Sequence, residues 1–391
     1  MPNQIAYPGA TSPGRQNPTS QGGGTVVNVP SGNGQAEAPV ALIPFSRASK
    51  LRIDSGRQLT GTIAAATSQL SFTPLPTTGY LAAIYLVVVA TASGNSATVA
   101  FQADAPWSFF QNILFRDATG IPIVNMFTGY QLYEASKLGG YRLGRPEGSS
   151  YINLGTTGAG GSGGSFTFVM PIYQEFGRDT LGPLANMDAS AGYQLDLTIA
   201  ASASIYSTAP TVLPPFTISL YMESYTNPPD MVEGNQARTQ PPALGSTQFW
   251  TAQNYSWSGT GEQTVQIVRV GNLIRNMILV WRNASGARSA AVLPTSNIRF
   301  ELDQAYLMNN SILLNQFLMY RYYTYDLDTG VTLYGFQFDP DNLPTGEYGD
   351  RWLQTLAQTR VALVFTPAAA GALEILINDI APVGDVYRLE G

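Results

Sequence analysis

"GYLAAIYLVVVATASG", residues 79–94, is a glycine, an apolar run and a polar turn closing on Ser-Gly. The same frame returns 192 residues later as "GNLIRNMILVWRNASG", residues 271–286. The run from Tyr80 to Ala92 holds 13 residues, short of the roughly 20 that a membrane-spanning helix needs, so it reads as a buried strand of a soluble protein. A frame repeated at this distance raises the question of whether the whole chain is written twice.

Four further stretches answer it. "TGYQLYEASKLGG", residues 128–140, reads as a helix. Thr128 and Gln131 have capping-box spacing, Glu134 and Lys137 stand three apart and can pair along the surface, and Gly139 sits where a left-handed residue ends a helix. Its counterpart is "NNSILLNQFLMYRYY", residues 309–323, capped by Asn310 or Ser311 and carrying Leu313, Phe317 and Tyr320 as an apolar stripe. "SFTFVMPI" from Ser165 then matches "GVTLYGFQF" from Gly330, and "YQLDLTIAA" from Tyr193 matches "RVALVFTPA" from Arg360. Last, "FTISLYMES" from Phe216 matches "ALEILINDI" from Ala372. The offsets run 192, 181, 165, 167 and 156, so order is kept while loops shorten, as duplication predicts.

A unit of seven or eight short strands, one mid-unit helix and turns throughout fits a jelly roll. In "FTISLYME", Phe216, Ile218, Leu220 and Met222 share one face and Thr217, Ser219 and Tyr221 the other, as a sandwich strand requires. The expected fold is all-β: two tandem eight-stranded jelly rolls, each with a helix that covers an open end or edge, plus an extended N-terminal arm. Residues 1–46, Gly/Ser/Asn/Pro-rich, are expected to be a flexible arm, 47–225 the first jelly roll, 226–246 a Pro-rich linker, and 247–391 the second jelly roll with a short tail.

Composition narrows the function. The 391 residues include 39 Gly and 26 Pro, which suits many turns, and only 12% are charged, half the usual share of about 25%. Low charge fits either an unusual monomer or a surface covered by other subunits, whose cores are poor in charge. With no Cys and no His, Ser-His-Asp and Cys-His catalysis and thiolate or imidazole metal sites are excluded, which argues against an enzyme. The first residues lack a secretory pattern. Residues 1–55 carry net +2 (Arg15, Arg47, Lys50 and Arg52 against Glu37 and Asp54), leaving −8 on the rest. A basic arm on an acidic body suggests contact with something anionic, or else a solvated tail. Lys50 and Lys137 are the sole lysines and pI is about 4.8, so no sequence-specific nucleic-acid partner is expected.

Chemical motifs are weak. "GAGGSG" (158–163) and "GGSGG" (160–164) match G-x-G-x-x-G and G-x-S-x-G, but a strand follows them and no His exists, so they read as a flexible surface loop. Asp326 and Asp328 in "YDLDTG", with Asp339 and Asp341 in "FDPDNLPTGEYGD", are the weak calcium candidates, without the EF-hand spacing; Asx-rich turns explain them equally. No cofactor is expected. Paired carboxylates and the aromatics (21 Tyr, 17 Phe, 5 Trp) keep open a carbohydrate-binding or glycan-processing β-sandwich surface protein.

Four longer runs carry a resemblance. They are "FFQNILFRDATGIPIVNMFTGYQLYEASKLGG" (109–140), "VMPIYQEFGRDTLGPLANMDASAGYQLDLTI" (169–199), "TVQIVRVGNLIRNMILVWRNASG" (264–286) and "IRFELDQAYLMNNSILLNQFLMYRYY" (298–323). In this order the chain, over roughly residues 45–385, resembles the double jelly-roll major capsid proteins of tectivirus-like phages, tailless and icosahedral with an internal membrane, related in fold to adenovirus hexon. The resemblance implies homotrimeric, pseudo-hexagonal capsomers tiling an icosahedral shell around a membrane vesicle and genome. It implies neighbouring capsomers, penton and minor capsid proteins and the internal lipid membrane as partners, and location in the virion after assembly in the host cytoplasm. The arm, with Arg15, Arg47, Lys50 and Arg52 as inner-face or assembly candidates, would face inward or lock neighbouring capsomers near the vesicle, and loops such as Leu154–Ser165 would form outward towers or contacts. The arm carries no strongly basic or amphipathic helix for lipid.

Overall fold

The computed structural model describes residues 42–336 and 352–381, apart from positions 140, 142–150, 177–180, 190–191, 243, 245, 324–326 and 357–358. Among these residues sixteen strands have five residues or more. The first eight are β1 (Leu51–Thr62), β2 (Ser68–Phe72), β3 (Gly79–Ala90), β4 (Phe110–Arg116), β5 (Pro122–Met126), β6 (Phe166–Tyr173), β7 (Gln194–Ile199) and β8 (Pro215–Tyr225). The second eight are β9 (Thr247–Trp257), β10 (Gln263–Ile267), β11 (Leu273–Asn283), β12 (Ile298–Leu302), β13 (Ala305–Asn310), β14 (Val331–Gly335), β15 (Val361–Phe365) and β16 (Gly371–Ala381).

In the first unit they pair as β1-β8-β3-β6 and β2-β7-β4-β5, in the second as β9-β16-β11-β14 and β10-β15-β12-β13. Every one of these pairs is antiparallel. Adding eight to each label of the first unit generates the second. Helix α1 (Gly129–Leu138) and helix α2 (Ile312–Tyr323) each lie between their unit's fifth and sixth strands. The chain is therefore a double jelly roll, each unit an open sandwich of two sheets rather than a closed barrel. The five stretches matched in the sequence fall on equivalent elements.

Local chemistry explains the elements. Along β8, Phe216, Ile218, Leu220 and Met222 are buried while the residues between them are half-buried, so one face meets the core. Strand β11 differs, with ten of its eleven residues buried. Met277, Leu279 and Trp281 face the second unit's own core, whereas Ile278 and Val280 join the apolar cluster of the first unit. A strand covered on both faces reads as an unbroken apolar run, and "MILVW" is one. The units also share a sheet: β5 pairs in parallel with β9 through Val124–Trp250 and Asn125–Thr251.

The capping box is present, with Gln131 N–H donating to Thr128 Oγ1 at 3.3 Å and Gln131 Oε1 accepting from Thr128 N–H at 3.3 Å. Gly129 opens the helix because a Cβ there would lie 2.3 Å from the Trp107 carbonyl oxygen. Three expectations for the helices change. Gly139 has φ −77°, not a left-handed value, because the last carbonyls of α1 are bonded by the second unit instead. Glu134 and Lys137 do not pair on the surface, since every residue of α1 is buried. The α2 stripe points outward, and Asn315 and Met319 face inward instead. Ser311 is the α2 cap, accepting from Leu314 N–H at 3.2 Å.

The Gly/Ser loop is packed against residues 94–97: Asn95 N–H donates to Gly161 O at 3.0 Å, and a Cβ on Gly158 would meet Asn95 O at 2.4 Å. Its glycines serve close backbone approach. Of the expected arm, residues 42–46 are described. Ile43 bridges to Ala237 in the expected linker, and the Phe45 ring packs 5.3 Å from Tyr80 and 5.5 Å from Tyr225. Among the described residues, no helix is long and apolar enough to cross a membrane.

Candidate assembly surface

The residues with the most chemistry lie where one unit meets the other, around α1. Leu132, Tyr133, Ala135 and Leu138 bind the helix to the first core, and the Tyr133 ring stacks on Trp107 at 4.5 Å. Its opposite face presents Tyr130, Glu134 and Lys137 to the second unit. Lys137 Nζ lies 2.7 Å from Asp328 Oδ1, and the Arg288 guanidinium stands 4.4 Å over the Tyr130 ring. Beside them Asp104 of the first unit accepts from Arg282 at 2.7 Å and Arg288 at 2.6 Å, and Arg282 also pairs with Glu374. At the other end of the helix, Arg275 donates to Gly139 O at 2.9 Å and Asn276 to Leu138 O at 3.4 Å. A cation and an amide there complement the negative end of the helix dipole.

The charges of this cluster balance if one acid is neutral. Lys137, Arg282 and Arg288 face Asp104, Asp328 and Glu374, three against three, with Glu134 left over. Burial pushes the Glu134 carboxyl up to about 8 despite Lys137, with Asp328 adding to the rise. The Tyr130 hydroxyl donates to Glu134 Oε1 at 2.6 Å, and the Asp328 carboxylate hydrogen-bonded to the same carboxyl favours its protonated form. Burial also acts to raise Asp328, but Glu134, Lys137 and Arg288 outweigh it and hold Asp328 below its ordinary value. For Arg282, desolvation is likewise outweighed, by Glu374 and Asp104, and the guanidinium stays more basic than usual. Of the four acids, Glu134 is the one whose surroundings favour the neutral form.

The equivalent surfaces elsewhere are open. In α2, Leu313 is 77% exposed and Phe317 62% exposed, with Leu314 and Tyr320 also outward. Among the described residues strand β1 is the end strand of its sheet and pairs with β8 alone. On it Ile53 is 61% and Leu51 51% exposed. The outer sides of β3 and β8 carry Tyr85, Val87, Val89 and Tyr221, half-buried or exposed, a tyrosine-rich face of the kind that interfaces favour.

The residues singled out in the sequence are scattered. Arg47, Lys50 and Arg52 are exposed at the base of the expected arm, with Arg52 Nε 2.8 Å from Asp54 Oδ2; Arg15 lies outside the described residues. Asp328 belongs to the ionic cluster, while Asp326, Asp339 and Asp341 lie outside the described residues. Among the described residues, no three His, Cys, Asp or Glu side chains form a group able to hold a metal. Sequence reasoning missed Asp104, Arg275, Arg282, Arg288 and Glu374. A usable signal existed: charges set at the ends of otherwise apolar strands are either solvated or paired across a boundary.

No family model and no curated protein matches the sequence. Solved structures do match. The STIV MCP is similar at a TM-score of 0.62 and 9% identity, over 88% of this chain and 99% of that one. A chain from the atomic structure of Sulfolobus turreted icosahedral virus gives 0.60 at 10% identity, over 87% and 92%. The major capsid protein P2 from bacteriophage PM2 gives 0.53 at 8% identity, over 86% and 99%. At such identities the likeness is one of fold, and the fold shared is the double jelly roll.

Proposed function

We propose that this chain is a major capsid protein whose work is assembly rather than catalysis. Three copies form a pseudo-hexagonal capsomer, and capsomers tile an icosahedral virion shell, put together in the host cytoplasm, around a membrane vesicle and genome. Penton and minor capsid proteins complete the shell at its vertices. The observation that carries this reading is an asymmetry. The outer sheet face of the second unit is buried by the first unit, while the same face of the first unit is only half-buried, with Val89 exposed. A surface of this kind, on a chain only 12% charged, suits a building block surrounded by copies of itself. The shared fold with viral major capsid proteins supports the same reading.

Native mass spectrometry tests it: three chains of 41.9 kDa should give a species near 126 kDa that survives dilution. A stable monomer that binds glycans would instead favour a carbohydrate-binding surface protein. The division into arm (1–46), first roll (47–225), linker (226–246) and second roll (247–391) belongs to this proposal. The arm should lock capsomers together. Deleting residues 1–40 is therefore expected to leave the 126 kDa species intact but to abolish closed shells in negative-stain images. Normal shells from the shortened chain would remove the arm from assembly.

A further inference from the structure

From this assembly reading, on which the inference rests, we infer that the outward stripe of α2 docks on the outer sheet face beside the β1 edge of a second copy of the chain, with β13 along that edge. The contact repeats between chains the one that α1 makes within the chain.

Strand pairing fixes which residues are equivalent. Ala83 pairs with Glu223 and Tyr173, and Asn276 pairs with Asn378 and Gly335. Ala83 therefore corresponds to Asn276, and six residues on Val89 corresponds to Arg282. Glu223 in turn pairs with Ile53 and Asn378 with Trp250, so Ile53 corresponds to Trp250 and Leu51 to Gln248. Strands β5 and β13 carry a bulge at the same point, between the pairs Phe115–Val124 and Arg116–Pro122 in one and Phe300–Met308 and Glu301–Tyr306 in the other. This makes Ile123 the counterpart of Leu307. Counting from the caps Thr128 and Ser311, the face Tyr130, Glu134, Lys137 of α1 becomes Leu313, Phe317, Tyr320 of α2.

Several positions buried at the internal junction have exposed counterparts. Trp250, Gln248 and Ile123 are buried, while Ile53, Leu51 and Leu307 are exposed. All of α1 is buried, and the matching face of α2 is bare. The chemistry also changes together on the two sides. Inside the chain Glu134 and Lys137 belong to the same ionic cluster as Arg282. In the counterpart, Phe317 and Tyr320 stand for the acid and the lysine, and exposed Val89 stands for Arg282. An ionic junction has become an apolar one on both of its surfaces. A stripe of Leu, Phe and Tyr against Ile53 and Val89 buries apolar area, Glu223 beside Ile53 accepts from the Tyr85 hydroxyl, and β13 next to the helix would cover the β1 edge. The two patches differ, so the contact is heterologous and can close into a ring.

The chain contains no cysteine, so introduced pairs report without background. The internal pair Val124–Trp250 maps onto Met308 of one copy and Ile53 of the next. The double variant Ile53→Cys with Met308→Cys, mildly oxidised or treated with a short bismaleimide, is expected to give covalent species up to three chains on a denaturing gel. Either single variant should give none. In parallel, Phe317→Asp should weaken the 126 kDa species at least about thirtyfold while the monomer unfolds at the wild-type urea midpoint. A trimeric wild type whose double variant does not cross-link overturns the docking and leaves the assembly reading standing. Cross-linking by single variants also overturns it, since that marks a contact between identical patches. A wild type that stays monomeric at shell-forming concentration overturns both.

Discussion

Arg282→Ala is expected to lower the free energy of unfolding by about 3–5 kcal/mol, the range found when one partner of a buried ion pair is removed. The size follows from what is left behind. Arg282 is shared by Asp104 of the first unit at 2.7 Å and Glu374 of its own unit, and also donates to Gly286 O at 3.0 Å. Without it two carboxylates remain in a largely buried junction with Arg288 beside Asp104, and among the described residues Glu374 Oε2 already lacks a partner. The natural comparison is Arg282→Met combined with Glu374→Gln, which removes the acid's charge and keeps most of the volume. It should recover much of the loss, because the cost lies in the stranded charge rather than in the missing attraction. Urea unfolding of both variants decides the matter. A loss below about 1 kcal/mol for Arg282→Ala, the size of an exposed pair, would show that water reaches the cluster.

The second large effect depends on pH. Burial, opposed by Lys137 and helped by Asp328, sets the Glu134 carboxyl at about 8 in the folded chain, against 4.5 for the free group. The folded state therefore binds more protons than the unfolded state between these values. The contribution of Glu134 is greatest below pH 4.5 and is lost as pH rises toward 8, by about 1.4 kcal/mol per pH unit at most, or tenfold in the folding equilibrium. Above pH 8 it is constant. Burial also raises Glu175 and Asp379, but a difference between two variants cancels their effect. Glu134→Gln keeps the acceptor for Tyr130 and cannot ionise. Urea unfolding from pH 5 to pH 9 should show the stability of wild type falling relative to Glu134→Gln through the window and running parallel above it. Curves parallel throughout would mean that Glu134 is ionised and stabilised at neutral pH.

Much of the fold was legible because its signals are local. Thr128 and Gln131 announce a helix start whatever surrounds them, and the cap is there. The alternation in β8 places its inner face without reference to any other strand. Matched frames at Gly79 and Gly271 gave the duplication, since two copies of one unit need the same strands in the same order. The site was far less legible. The three-residue spacing of Glu134 and Lys137 is what a surface pair looks like, and the stripe of Leu313, Phe317 and Tyr320 is what a core face looks like. Both are true of an isolated helix, and both fail here for the same reason: packing against a second unit buries α1 on all sides, while α2 has no such unit in its own chain.

By itself the sequence determined which residues start and stop elements, which face of a strand is apolar, and that one plan is used twice. Those properties arise from side chains a few positions apart, and a single chain contains all the information they need. Which apolar face is covered, and by what, was decided by tertiary structure alone. Burial depends on groups more than a hundred residues away: Arg282 on Asp104, Lys137 on Asp328, Arg275 on Gly139. The same residue pattern is core when a neighbour stands over it and surface when none does, and periodicity records the pattern without the neighbour.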